Sequence, residues 1–394
     1  MVNRSMLRLK IKIKILTLIL ILIFPAYNSY ASSNYQRKEI WVVSRETGSL
    51  FIIDRYERIV KQIPDIGDLR HAVIKFKDNS AFILTRDGYI VKIENGSVKN
   101  KLKVGDSSVG FDFSNDIIAV ANYEPKSVVL INSNDMKIIK QIQTSSRTVG
   151  IKSYKDKDGD KIIFSLMDKG QIWIYNLKDG KIKKINVGGI IFDALLHSKK
   201  YIVGLFEENF LGILDMGTYD FIRFELKATR DILKIPHFGT WGKDSKKAYI
   251  PALGLKKVFI LNIENISLDG EIELIGKPIF VVSNGSGKIA VNYSDQEDFI
   301  SFVEVEKGTI KNIKAGKRIM HLRFISENEL AISSYFEDKV KIVDVKDGKI
   351  IEEFNIPYPS GIFLKVENFW RKTSFNPNEI TSKVNFFTYF CRNF

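Results

Sequence analysis

Four histidines, a few isolated acids and one cysteine are the residues of this 394-residue chain best suited to chemistry near neutral pH. His71 sits in Gly67-Asp68-Leu69-Arg70-His71-Ala72-Val73, directly before an apolar strand. His237 lies in Ile235-Pro236-His237-Phe238, just ahead of Trp241, and His321 opens a strand in Ile319-Met320-His321-Leu322. His197, in Leu195-Leu196-His197-Ser198-Lys199-Lys200, reads as a surface turn. Taken singly, each is more simply a packed histidine. Three at one phase of three similar segments point to a shared pocket, where neutral imidazole can ligate iron or move protons. Asp193, in Ile191-Phe192-Asp193-Ala194, is an acid beside an apolar strand start that packing does not require, whereas Asp168 reads as a strand end. The lone Cys391 rules out an intramolecular disulfide, a zinc cluster and a Cys-x-x-Cys-His haem attachment. No Ser/His/Asp order, phosphate-cradling loop or calcium loop stands out, and the Gly-Lys pairs are hairpin turns.

The elements that must position these residues follow from a repeat. A hydrophobic strand closing on Asp, Asn or Glu recurs eight times, ending at Asp54, Glu94, Asn132, Asn176, Asp215, Asn262, Glu304 and Asp344. The steps are 40, 38, 44, 39, 47, 42 and 40 residues. A period near 40 with only strand signals inside it predicts an all-β, eight-bladed β-propeller over residues 38–365. A four-stranded blade cannot bury both faces alone, and stacking blades in a ring does so. Asp87-Gly88, Asn95-Gly96, Asp179-Gly180 and Asp347-Gly348 supply turns, and no stretch has sustained helical periodicity. Starts of innermost strands from several blades converge on the axis, which gathers His71, His237, His321 and Asp193 into one candidate pocket.

Residues 1–31 read as a secretory signal peptide: Arg4, Arg8, Lys10, Lys12 and Lys14 precede an apolar run from Ile15 to Phe24, then Ser29-Tyr30-Ala31 as a cleavage site. The run is short for a membrane span, so the expectation is a periplasmic protein that touches the membrane only through an uncleaved signal. Loss of the five basic residues takes the net charge from +14 to +9. Such a surface favours acidic partners. Export and the lack of a basic cluster interleaved with aromatics argue against nucleic acid and for a small polycarboxylate. Residues 366–394 form a tail to which no role is assigned.

A series of motifs then carries a resemblance. It runs through Arg45-Glu46-Thr47-Gly48-Ser49-Leu50, Gly67-Asp68-Leu69-Arg70-His71-Ala72, Arg86-Asp87-Gly88 and Ala121-Asn122-Tyr123-Glu124-Pro125. It continues through Phe192-Asp193-Ala194, Gly204-Leu205-Phe206, Pro236-His237 to Trp241, Val291-Asn292 and Met320-His321-Leu322, and ends at Pro359-Ser360-Gly361-Ile362-Phe363. In that order and at blade spacing these resemble the NirF-like d1-haem biosynthesis branch of the cytochrome d1-haem propellers. The resemblance implies non-covalent binding of d1-haem or dihydro-d1-haem, with no c-type haem, on the propeller axis. It implies His71 as axial iron ligand and Arg70 and Arg86 as carboxylate clamps. It further implies Asn122, Tyr123 and Asn292 as polar contacts, Phe206 and Trp241 as stacking partners, and His237, His321 and Asp193 as the catalytic group.

Besides a generic propeller that binds protein or sugar, two functions remain open at this point. One is dehydrogenation of a propionate side chain of the precursor, with His237 or His321 taking the proton and the porphyrinoid iron taking the electrons. The other is a non-catalytic carrier that hands the tetrapyrrole to a dihydro-d1-haem dehydrogenase or to d1-haem nitrite reductase. The absence of a built-in electron acceptor favours the carrier.

Overall fold

The computed structural model describes residues 36–206, 208–226, 234–235 and 237–368. The expected signal peptide and the tail beyond residue 368 lie outside them. Residues Glu39–Lys365 form one compact unit. It is an eight-bladed propeller of eight four-stranded sheets, each an antiparallel meander whose first strand is innermost.

The eight recurring segments are the third strands of the eight blades, from Ser49–Asp54 to Lys339–Asp344. Their closing residue has a local job. Asp54 Oδ1 accepts the backbone N–H groups of Tyr56 and Glu57, and Asn132, Asn176, Asp215, Asn262 and Asp344 bond their own turns in the same way. A short carboxyl or amide side chain reaches the backbone two or three residues ahead and nucleates the hairpin to the outer strand. Glu94 is one methylene longer and instead accepts from the Ser80 hydroxyl at 2.9 Å.

Burial is greatest in the two middle strands of a blade. Third strands such as Ser127–Asn132 are buried along nearly their whole length, while outer strands such as Ile138–Gln143 are mostly exposed. The core is not one mass but a series of clusters, each between neighbouring blades. Trp41, Val43 and Leu50 of the first blade pack on Ile74, Ile83 and Val91 of the second, for example.

The first blade is built from both ends of the described chain: Pro359–Asn368 supplies its innermost strand beside Gln36–Ser44. The seam is then packed by Ile40, Val42 and Phe51 against Ala331, Val340 and Ile342 of the last blade. Arg55 reinforces it, donating to both oxygens of Glu329 at 3.0 Å and to Glu352 at 3.1 Å. Burial works to lower the Arg55 pKa, but the two carboxylates prevail and hold it above its usual value.

Candidate functional site

The inner strands are Val73–Lys77, Ser107–Ser114, Thr148–Asp156, Ile191–His197, Gly242–Lys243, Pro278–Ser283, Ile319–Phe324 and Pro359–Asn368. Five of them carry a register shift near their start, for instance between Ile191 and Asp193 and between Ile319 and His321. A bulge there re-aims the next side chain. Asp193 and His321 are the residues that follow those shifts.

His71 is held by a loop rather than a strand. The Asp68 backbone N–H donates to Asp87 Oδ1 at 3.2 Å, Arg86 N–H donates to Asp68 O at 2.8 Å, and Leu69 is buried beneath. His71 itself adopts φ 59°, a left-handed conformation that histidine tolerates better than most residues. Its ring is exposed at the channel mouth. Partial burial, then the positive charges of Arg45, Arg86 and His237, hold its pKa below the ordinary value, against the opposing pull of Asp68. His71 and His237, from separate loops, therefore lie within electrostatic reach of each other.

His237 and Asp193 form a pair: Nδ1 of the ring lies 2.6 Å from Asp193 Oδ2. That oxygen also accepts the Phe238 backbone N–H at 2.9 Å, and Oδ1 accepts that of Ala194 at 2.7 Å. Water reaches half of the imidazole, 51% of the side chain, although wall atoms crowd the rest. Crowding works to lower its pKa, and the hydrogen bond and charge of Asp193 reverse that, leaving it raised. Asp193 shifts the opposite way. Burial would raise it, but His237, Lys152 and the Ala194 N–H hold it below the usual carboxylate range. The ion pair thus contributes fully between the ordinary carboxylate and imidazole ranges. It is lost as pH falls through the Asp193 value or rises through the His237 value.

His321 is a different histidine. Its ring lies between Phe280, with centroids 5.0 Å apart, and Phe363, stacked at 6.2 Å. Burial, with Arg323 adding to it, pushes its pKa down to about 3, so it is neutral. Its Nδ1 is buried and has no hydrogen-bond partner. A buried ring nitrogen left unmatched in this way suits a ligand.

The other expected site residues divide. Arg86 lies 5.2 Å from the Tyr123 ring, and Arg147 lies 5.4 Å from the same ring. Burial raises the Tyr123 pKa while the two guanidiniums oppose it. Phe206 is 42% exposed and meets Phe192 edge-on at 5.4 Å, and Phe192 in turn meets His237 at 5.9 Å. These residues join the histidines at the mouth. Arg70 is also exposed, with its guanidinium on Asp68, the Nε–Oδ1 distance being 2.9 Å.

Three expected contacts do not reach the channel. Asn122 is fully buried, with Oδ1 accepting from Ser108 at 2.6 Å and Nδ2 donating to Val104 O at 2.7 Å. Asn292 is likewise buried, accepting the Phe280 N–H at 2.9 Å and donating to Ile319 O at 2.7 Å. Trp241 is a core residue, 4.3 Å from Phe238 between ring centroids, with Nε1 donating to Ile235 O at 2.8 Å. All three brace the wall from behind. Asp168 also does more than end a strand. It pairs with Arg147 at 2.5 Å, and this bond, working against burial, holds its pKa down to about 2.

Sequence reasoning missed a belt of cations on the inner strands: Lys75, Lys152, Lys243 and Arg323. Arg323 lies two residues past His321 on one strand and so on the same face. The signal was present, since each is a base directly after an apolar residue or glycine on an innermost strand. Among the described residues no three His, Cys, Asp or Glu side chains assemble into a metal site, and no helix is long and apolar enough to cross a membrane.

Comparison with known proteins supplies the family. A profile described as "Cytochrome D1 heme domain" matches residues 36–368. "Protein NirF" of Pseudomonas aeruginosa is 27% identical over 357 residues, covering 82% of this chain and 90% of that protein. "Protein NirF" of Stutzerimonas stutzeri is 26% identical over 354 residues, covering 82% and 90%. Among solved structures, "Dihydro-heme d1 dehydrogenase NirN in complex with DHE" superposes with a TM-score of 0.71 at 17% identity, over 82% of this chain and 74% of that one. Apo AztD from Citrobacter koseri follows at 0.64 and 11%, over 84% and 99%. The structural likenesses bear on the propeller fold. The profile spans most of the chain and every blade, so the chain belongs to the Cytochrome D1 heme domain family.

Proposed function

We propose that this protein acts in d1-haem biosynthesis, serving nitrite reductase maturation in the periplasm, by binding a late d1-haem precursor non-covalently in the axial funnel. The observation that carries the reading is the His237–Asp193 pair within electrostatic reach of His71, with the buried, unmatched His321 on the innermost strand of another blade. The residues fit an iron tetrapyrrole bearing several carboxylates. His71 would supply the axial nitrogen, His321 offers an unmatched one, and Arg86 lies close by as a guanidinium for a carboxylate. Phe192, Phe206 and Phe280 give the ring faces apolar contact. Bound there, the group would supply an iron-centred electron relay.

Two roles differ in what the chain's own residues do. In the dehydrogenation role, His237 takes a proton through its outward nitrogen, and Asp193 orients the ring and stabilises the imidazolium. His321, being so weakly basic, would position the ligand rather than take the proton. This role needs an external electron acceptor. In the carrier role the same residues only bind and release, handing the precursor to a dehydrogenase or to nitrite reductase. The hydrogen-bonded Asp193–His237 pair, open to solvent on one side, favours the first.

An absorption titration of the mature protein with dihydro-d1-haem tests the proposal. Wild type should show a saturable band shift that His71→Ala loses or weakens at least tenfold, and no shift in wild type overturns it. Turnover that survives in a His237→Gln/His321→Phe double variant removes these histidines from the proton transfer, and no turnover by wild type with an added electron acceptor leaves the carrier.

A further inference from the structure

The cation belt is not accounted for by the histidines above it. Lys75 is neutralised by Asp112, 2.6 Å away, and Asp112 also accepts the Ser153 N–H at 2.8 Å. Asp193 is committed to His237 and two backbone N–H groups. Among the described residues, these are the two carboxylates whose charge acts on Lys75 and Lys243. Lys152, Lys243 and Arg323 are left, from three different blades, with neither ion pair nor hydrogen bond among the described residues. Burial lowers Lys243, and the positive charges of Lys152, Arg323 and Lys75 lower it further, while Asp193 opposes. Burial lowers Arg323, with no carboxylate opposing it.

Three convergent cations in a walled channel repel one another and raise the local potential, which a counter-ion relieves. Arg323 adds a planar donor fork, the geometry that oxygen-bearing anions match. We infer that Lys152, Lys243 and Arg323 form an oxyanion site on the propeller axis, beyond His321, for a carboxylate or an inorganic oxyanion. The carboxylate could come from a ligand seated above, or the anion could be free in solution. The site itself does not depend on tetrapyrrole binding, and inorganic sulfate is a sufficient probe.

The test is calorimetric titration of the full-length protein with sulfate at constant ionic strength. Wild type should bind one equivalent saturably. Arg323→Gln and, separately, Lys243→Gln should each weaken it at least tenfold, while Lys137→Gln on the outer surface leaves it unchanged. The absence of saturable sulfate binding in wild type, or binding equal in all variants, overturns the inference. Should Arg323→Gln fold poorly, Lys243→Gln alone carries the test. Dihydro-d1-haem added to the sulfate complex identifies the source. Release of sulfate assigns the site to a ligand carboxylate, retention assigns it to a free anion, and both support the site.

Discussion

His321 shows how far one environment moves a side chain. Between Phe280 and Phe363, with Arg323 nearby, its pKa falls from the ordinary 6.5 to about 3. A histidine shifted down binds fewer protons folded than unfolded. It therefore costs stability as pH falls below 6.5, at up to about 1.4 kcal/mol per unit, until the folded group also protonates. His321→Phe keeps the aromatic packing and removes that penalty. Its melting temperature should fall less steeply than wild type between pH 6.5 and 4, and parallel curves would contradict the assignment. At this scale the sequence was partly legible. The histidines and Asp193 were recognisable because chemistry-bearing residues at strand starts are not needed for packing, whereas Arg86 came only with the resemblance. Arg323 and Lys243 were not recognised, because an isolated base in a strand looks like a solvated one until the ring turns it inward.

Elements were legible where a local rule acts. The closing Asp or Asn of six third strands is a turn-forming residue, and Glu stands at the same place in the other two, so its period was also the period of the blades. Asn122, Asn292 and Trp241 misled for the complementary reason: they recur in the motif series because they brace strands, not because they face the axis. Asn292 joins the seventh blade to the eighth through the Phe280 N–H and Ile319 O. Asn292→Ala leaves both groups buried and unmatched, at a cost of roughly 2–3 kcal/mol. Urea unfolding should register that loss, whereas a fully buried residue should barely change ligand affinity in the folded fraction. A large affinity loss at unchanged stability would return Asn292 to the site.

For the whole molecule, ring closure is the term no local pattern contains. The sequence period counts blades, but it does not say that Pro359–Asn368 completes the first of them. The Arg55 network guards that seam. Arg55→Met leaves Glu329 and Glu352 as unpaired carboxylates, both partly exposed, so the expected cost is about 1–2 kcal/mol, discounted for solvent. Calorimetry should show a melting temperature a few degrees lower, and more so at low salt. An unchanged value would mean that the apolar seam alone closes the ring.

The residues along the axis are drawn from His71 through to Phe363, so every blade but one or two has contributed before the last of them arrives. A chain still being made has histidines and lysines but no funnel. The axis that the blades of His71, His237 and His321 surround comes into being only when the final strand docks beside the first. If the proposed function holds, occupancy of the axis is therefore a certificate of completion, and a truncated or stalled chain would not sequester the ligand from a finished one.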